Sequence, residues 1–354
     1  MIYLDNAATT YPKPRMVRQA INKAAEVYGA NPGRGGYPLA MKTSEMIFQS
    51  RELLSDFFNV DNCEKVAFTL NCTMGLNMLL KGLLRPGDHV IHSSVEHNAV
   101  YRPLYHMEED GVITRTMVGL SADDPGVILK NIKAAIRPNT RLLVCTHASN
   151  VFGILLPIEE IGALCREHGI ITVVDIAQTG GVEPIDLQRL PVDFLSFSGH
   201  KGLYGPMGTG GIVINSDILP DTLLEGGTGS DSFSGHQPDT LPDRFESGTP
   251  NTSGICGLAA GVSFLQKLKR RGIALREEEL ALIGYAWEEL RKMQGILLYT
   301  PKPEVGRSTA VLSFNLEGQP AESVCSLLSH RQIAVRGGLH CAPLAHIFFG
   351  TEER

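Results

Sequence analysis

The pattern that most limits how this chain can fold is a series of short runs that are apolar at nearly every position, separated by stretches of helical length. The runs lie at 66–69, 89–92, 141–146, 170–174, 194–196 and 211–214. A strand with one wet face alternates apolar and polar residues, whereas a strand covered on both faces does not. Between the runs, residues 74–84, 125–135 and 158–167 carry apolar side chains at helical spacing, with Pro125 in a first turn. Strand and helix in alternation predict an α/β fold, with a large, mostly parallel sheet clothed by helices on both sides.

Flanking segments differ in texture. Residues 14–28 and 43–58 read as amphipathic helices, joined by the glycine-rich loop 29–36, which contains Arg34. From about residue 255 the pattern becomes two long helices (255–268 and 273–293), a strand-like stretch at 309–315 and a helix at 321–330. That is the pattern of a smaller α+β domain, and 354 residues is more than one core comfortably serves.

Thirty-two basic against 38 acidic side chains leave a net charge of -6, which offers no footprint for nucleic acid. No apolar run is long enough to span a bilayer, and the N-terminus lacks a basic-then-apolar leader, so a cytoplasmic protein is expected. The seven cysteines are odd in number and form no close pair, which argues against a disulfide framework or a metal site and for a reducing compartment.

Two residues carry the chemistry. Asp175 ends the run Val173-Val174-Asp175, where doubly wound sheets bind ligands. Lys201 lies in Ser198-Gly199-His200-Lys201-Gly202, a glycine-bracketed turn after another run. A lysine can form an imine with an aldehyde cofactor, and an aspartate facing a pyridine nitrogen keeps it protonated, making the ring an electron sink. The polar turn Asn71-Cys72-Thr73, leading from strand to helix, suits a phosphate.

From Tyr3-Leu4-Asp5-Asn6-Ala7-Ala8-Thr9-Thr10 to Arg336-Gly337-Gly338-Leu339-His340-Cys341, the sequence resembles the class V aminotransferase group of fold-type I pyridoxal-phosphate enzymes, and within it the cysteine desulfurases. The resemblance implies a seven-stranded large domain over 16–254, a small domain over 255–354 and an N-terminal segment, 1–15, that goes with the small domain or the active site. It also implies pyridoxal 5'-phosphate on Lys201, Asp175 facing its ring nitrogen, Gln178 donating to its phenolic oxygen, and Asn150 beside ring and substrate. His97, in Glu96-His97-Asn98, would stack on the ring and assist proton transfer. Cys72, Thr73, Ser198 and His200 would hold the phosphate, with Thr249 of a homodimeric partner reaching it across the interface.

Cys341 sits in a polar, glycine-rich loop, a poor place for a core side chain. Arg336 and His340 beside it are expected to favour the thiolate. In the family this position is the nucleophile that takes sulfur from L-cysteine as a persulfide, leaving alanine, and the arginine binds the substrate carboxylate. The sulfur would then pass to a protein or small-thiol acceptor. Selenocysteine lyases share the arrangement, and another class V aminotransferase would keep Asp175 and Lys201 without needing Cys341. Family members ordinarily continue past this loop with an arginine-bearing strand and a last helix. Here only Arg354 follows, in surroundings that do not match, so the C-terminus reads as shortened and an inactive cofactor-binding or scaffold protein is the non-enzymatic alternative.

Overall fold

The structure, a computed structural model, describes every residue except Arg34, Asp123, Glu353 and Arg354. The chain opens with β1 (Ile2–Tyr3), α1 (Arg15–Val27) and α2 (Pro38–Phe58). Strands and helices then alternate as β2 (Val66–Thr69), α3 (Cys72–Leu83), β3 (Asp88–Ser93), α4 (Asn98–Glu109), β4 (Ile113–Val118), α5 (Gly126–Ala135), β5 (Thr140–Thr146), α6 (Ile158–Glu167) and β6 (Ile171–Asp175). Next come β7 (Phe194–Ser198), β8 (Gly210–Ile214), α7 (Thr252–Arg270) and α8 (Leu275–Leu290). The chain continues through β9 (Ile296–Leu298), β10 (Phe314–Leu316), α9 (Ala321–His330), β11 (Ile333–Ala334) and α10 (Pro343–Phe349).

Seven strands form one sheet in the order β2-β8-β7-β6-β5-β3-β4, parallel except where β8 runs against β2 and β7. The absence of apolar-polar alternation is explained by two cores. Val90, Leu142, Val144, Val173 and Phe194 face one side, packing with Leu76 and Leu79 of α3 and Leu104 of α4. Their neighbours Ile91, Leu143, Cys145, Val174 and Leu195 face the other, with Leu54, Phe58, Ile128 and Ile161. Each such side chain contributes about 1.5–3 kcal/mol when fully buried. Gly75 lets α3 lie flat on the sheet, since a Cβ there would meet Ser196 Oγ at 2.5 Å and Ile212 Cγ2 at 2.8 Å.

The structure departs from expectation in four places. α2 starts at Pro38 rather than 43, because proline suits the first helical turn. β4 was not legible as a strand: it pairs only with β3, at the sheet edge, and its ITRTMV run is buried only at its two ends. Of 309–315, only the last two residues join a strand. Thr309 N–H instead donates to Gly153 O (2.8 Å) and Leu155 N–H to Arg307 O (2.9 Å), which ties this stretch to the β5–α6 loop. Finally, Ile255, Leu258 and Val262 of α7 belong to the core beneath the large sheet.

Two small sheets complete the fold: β9 with β10, antiparallel, and β1 with β11, parallel. The latter joins the first residues of the chain to the strand before Arg336. Arg276 of α8 pairs with the buried Glu183 at 3.0 Å. No helix among the described residues is long and apolar enough to cross a membrane.

Candidate active site

Parallel strands gather their carboxyl ends along one edge of the sheet, and the candidate residues follow from that. Thr146, at the end of β5, is in register with Asp175 at the end of β6, and Asp175 with Ser196 of β7. Lys201 comes three residues after β7 ends. The connections from β2 to α3 and from β3 to α4 open on the same edge, bringing Thr73 and His97 to it.

Asp175 is 4% exposed. Its Oδ1 accepts from Ala177 N–H at 2.8 Å and from the Cys72 thiol at 3.3 Å, while Oδ2 takes no hydrogen bond from any described residue. A buried carboxylate with one oxygen open suits a cationic donor. Burial pushes the Lys201 amine below its ordinary range, against the attraction of Asp175; Cys72, Arg336 and Cys341 are near enough to act on it as well. Close backbone packing shapes the lysine turn, since a Cβ on Gly202 would lie 2.5 Å from Gly180 O. That approach, rather than flexibility, accounts for this glycine of the bracket.

Asn71, not Thr73, caps α3, its Oδ1 accepting from Met74 N–H at 2.9 Å. Among the described residues the Thr73 and Ser198 hydroxyls have no hydrogen-bond partner, which leaves both available to an anion at this helix terminus. The Cys72 side chain turns the other way, fully enclosed against Asp175 and Ser196 Oγ (3.3 Å), and burial drives its thiol well above the usual range. Any contribution of Cys72 to a phosphate cup is therefore restricted to its backbone.

Three imidazoles at this edge are neutral at pH 7. His97 caps α4, Nδ1 accepting from Ala99 N–H at 3.0 Å, which leaves Nε2 to carry the ring proton. Burial lowers its pKa, and the attraction of Asp175 only partly offsets this. His200 is held down to about 4 by burial and by Lys201 and Lys13. His340 is lowered by burial, then by His346 and Arg336. The expectation that His340 supplies positive charge to Cys341 is therefore corrected. Arg336 donates to Asp5 Oδ2 at 3.1 Å.

Cys341 itself is exposed, and the loop carrying it is tied down at two points. Asn98 N–H donates to Cys341 O at 2.7 Å, and Asn150 Nδ2 donates to His340 O at 2.8 Å. His340 and Cys341 both have positive φ, 49° and 57°. Left-handed backbone costs non-glycine residues about 1–2 kcal/mol each, and strain held this way collects at functional sites.

Segment 1–15 was expected to go with the small domain or the active site, but its bonds to the lysine turn were not foreseen. The His200 carbonyl accepts from Thr10 N–H (3.2 Å), Thr9 Oγ1 (3.0 Å), Thr10 Oγ1 (3.3 Å) and Lys13 Nζ (2.6 Å). Lys13, between two prolines in a stretch that cannot be helical, was the available signal. Gln178 donates to Ala7 O at 3.1 Å. Thr249 is exposed, its hydroxyl accepting from Asn31 at 3.3 Å, and it bonds to none of this cluster. Arg354 lies outside the described residues. No group of three or more metal-ligating side chains occurs among the described residues.

A profile of the family Aminotransferase class-V matches residues 2–352. The chain belongs to that family. Among curated class-V relatives, a probable cysteine desulfurase of Methanothermobacter thermautotrophicus is 32% identical over 96% of this chain and 84% of its own length. A cysteine desulfurase of Salmonella agona is 34% identical over 99% of this chain and 86% of its own. Among solved structures, cysteine desulfurase from Thermococcus onnurineus superposes with a TM-score of 0.88 at 30% identity, covering 99% of this chain and 87% of that one. The Escherichia coli cysteine desulfurase CsdA gives 0.87 at 27%, with the same coverage of both chains. The seven-stranded α/β fold is thus that of class-V cysteine desulfurases.

Proposed function

We propose that this class-V protein is a pyridoxal-phosphate-dependent cysteine desulfurase that converts L-cysteine to L-alanine and leaves a persulfide on Cys341. The observation that carries the reading is the tethered Cys341 loop, bonded through Asn98 and Asn150 to the same sheet edge that bears Lys201 and Asp175.

The residues fit the cofactor. Asp175 Oδ2 is open to a ring N–H, the Thr73 and Ser198 hydroxyls and the α3 terminus to phosphate, and Lys201 Nζ to the aldehyde. Gln178, which donates to Ala7 O, would exchange it for the phenolic oxygen. Bound there, pyridoxal phosphate supplies an electron sink for charge at the substrate α-carbon.

Arg336 binds the substrate carboxylate. Lys201 Nζ, its affinity for protons lowered by burial, takes the α-proton. Cys341 Sγ attacks the substrate sulfur, so that an S–S bond forms as the C–S bond breaks, and the three-carbon fragment is protonated to alanine. Neutral His97 holds a proton at Nε2 for transfer to or from the substrate. A protein or small thiol then accepts the sulfur.

Segments 1–15, 16–254 and 255–354 would divide the work, with α7 packed beneath the large sheet: a latch on the lysine turn, the cofactor platform, and the unit that brings Arg336 and Cys341. Homodimerisation, with Thr249 serving the partner's phosphate, and a cytoplasmic location complete the proposal; all seven cysteines are unpaired. The test is incubation of cofactor-loaded protein with L-cysteine and a thiol reductant. Alanine and sulfide in equal amounts are expected, and both should be lost in Cys341→Ala while the visible cofactor absorbance stays. Retention of alanine release by that variant would refute the persulfide route.

A further inference from the structure

One buried titratable group at this edge has no part in the mechanism above. Glu96 has 0% exposure, immediately before His97. Its Oε1 accepts from Ser93 Oγ, at the end of β3, and from Thr146 N–H at 2.9 Å, at the end of β5. Its Oε2 is buried without a partner. Thr146 is the register partner of Asp175. One carboxyl therefore joins the turn that presents His97 to the strand end beside the aspartate.

We propose that Glu96 is a positioning residue, clamping the His97 turn to the end of β5 so that the two faces of the cofactor site keep their spacing. This assignment presupposes the cofactor site proposed above. The clamp works as a neutral acid. Burial pushes the carboxyl up to about 8, helped by the charge of Asp175 and opposed by the bonds from Ser93 and Thr146. The titratable groups facing it are Asp175 on β6 and the Cys145 thiol on β5. Neither is a cation, so no neighbouring charge favours ionisation, and the bonds from Ser93 and Thr146 only partly offset the burial.

Glutamine reproduces the neutral acid, with its carbonyl at Oε1 and its amide at the partnerless Oε2. Alanine leaves Thr146 N–H and Ser93 O–H unpaired. Binding of pyridoxal phosphate is measured by absorbance titration, and its placement by circular dichroism in the cofactor band. Glu96→Gln should bind within about threefold of wild type and keep the dichroism. Glu96→Ala should bind at least about tenfold more weakly and lose it. The thermal midpoint of Glu96→Gln minus that of wild type should also grow from about pH 4.5 to 8 and then level. In that window the unfolded carboxyl is ionised and the folded one is not, so wild-type stability falls with pH. A carboxyl that titrates alike in the folded and unfolded chain would leave that difference flat; the positioning role is read from the cofactor dichroism.

A flat difference, wild-type-like cofactor binding by Glu96→Ala, or a Glu96→Gln as impaired as the alanine variant would each overturn the proposal. Should Glu96→Ala not fold, Ser93→Ala, which removes one of the two bonds to Oε1, takes its place in the cofactor titration, and wild-type binding and dichroism there would overturn the proposal. Failure of wild type to bind the cofactor would instead refute the proposed function.

Discussion

Arg336 and Asp5, 331 positions apart in the sequence, form an ion pair with Nη2 and Oδ2 3.1 Å apart. The β1–β11 pairing delivers both residues, and the guanidinium keeps further donors for a second carboxylate. A surface pair of this kind adds about 0–1 kcal/mol, so orientation rather than stability is its contribution.

Arg336→Ala should therefore raise KM for L-cysteine by about 10- to 100-fold, the loss of a charge-assisted bond, with a smaller change in kcat. Asp5→Asn, which leaves the guanidinium in place, should change KM by less than about threefold. Steady-state alanine production measures both.

Lys13 answers to pH. Burial holds its amine down to about 8 from an ordinary 10.5, and no carboxylate partners it among the described residues. Between those values the unfolded chain keeps a proton that the folded chain has released, so this group makes stability rise with pH. The thermal midpoint of wild type minus that of Lys13→Gln should grow as pH passes from 8 toward 10.

Gly75→Ala tests the seat of α3. The added methyl would land 2.5 Å from Ser196 Oγ, and lifting the helix would displace its terminus. A loss of about 1–3 kcal/mol in denaturant unfolding is expected. Cofactor affinity, followed by absorbance titration, should fall by at least about tenfold, since the phosphate donors move with the helix.

Asn150→Ala releases His340 O and with it one of the two tethers on the Cys341 loop. We expect kcat for sulfide release to fall by about tenfold or more, because the loop must then find its strained geometry at each turnover. Limited proteolysis at 337–342 should quicken in parallel.

The sheet was legible because its central strands are covered twice, and runs such as Val173-Val174 and Leu142-Leu143 carry that fact in their composition. β4 was not, because an edge strand needs apolar side chains only where it touches the core: Arg115 and Thr116 serve the side chains of Glu108 and His89 instead. α4 escaped notice because Pro103 interrupts it and its buried set is small. Asp175 and Lys201 stood out in the sequence as a pair following two apolar runs, whereas the bonds of Lys13 and Glu96 run to carbonyls and amides that a list of side chains does not display. The direction of the Cys72 thiol depended on how closely α3 approaches β7, which only packing determines.

The pairing of β1 with β11 also bears on how the protein is made. The first strand leaves the ribosome early, yet its partner follows more than 300 residues later, a delay of tens of seconds at ordinary rates of synthesis. The sheet bearing Asp175 and Lys201 can assemble during that interval. The chain's opening residues gain their strand partner only afterwards, and with it the contact between Asp5 and Arg336.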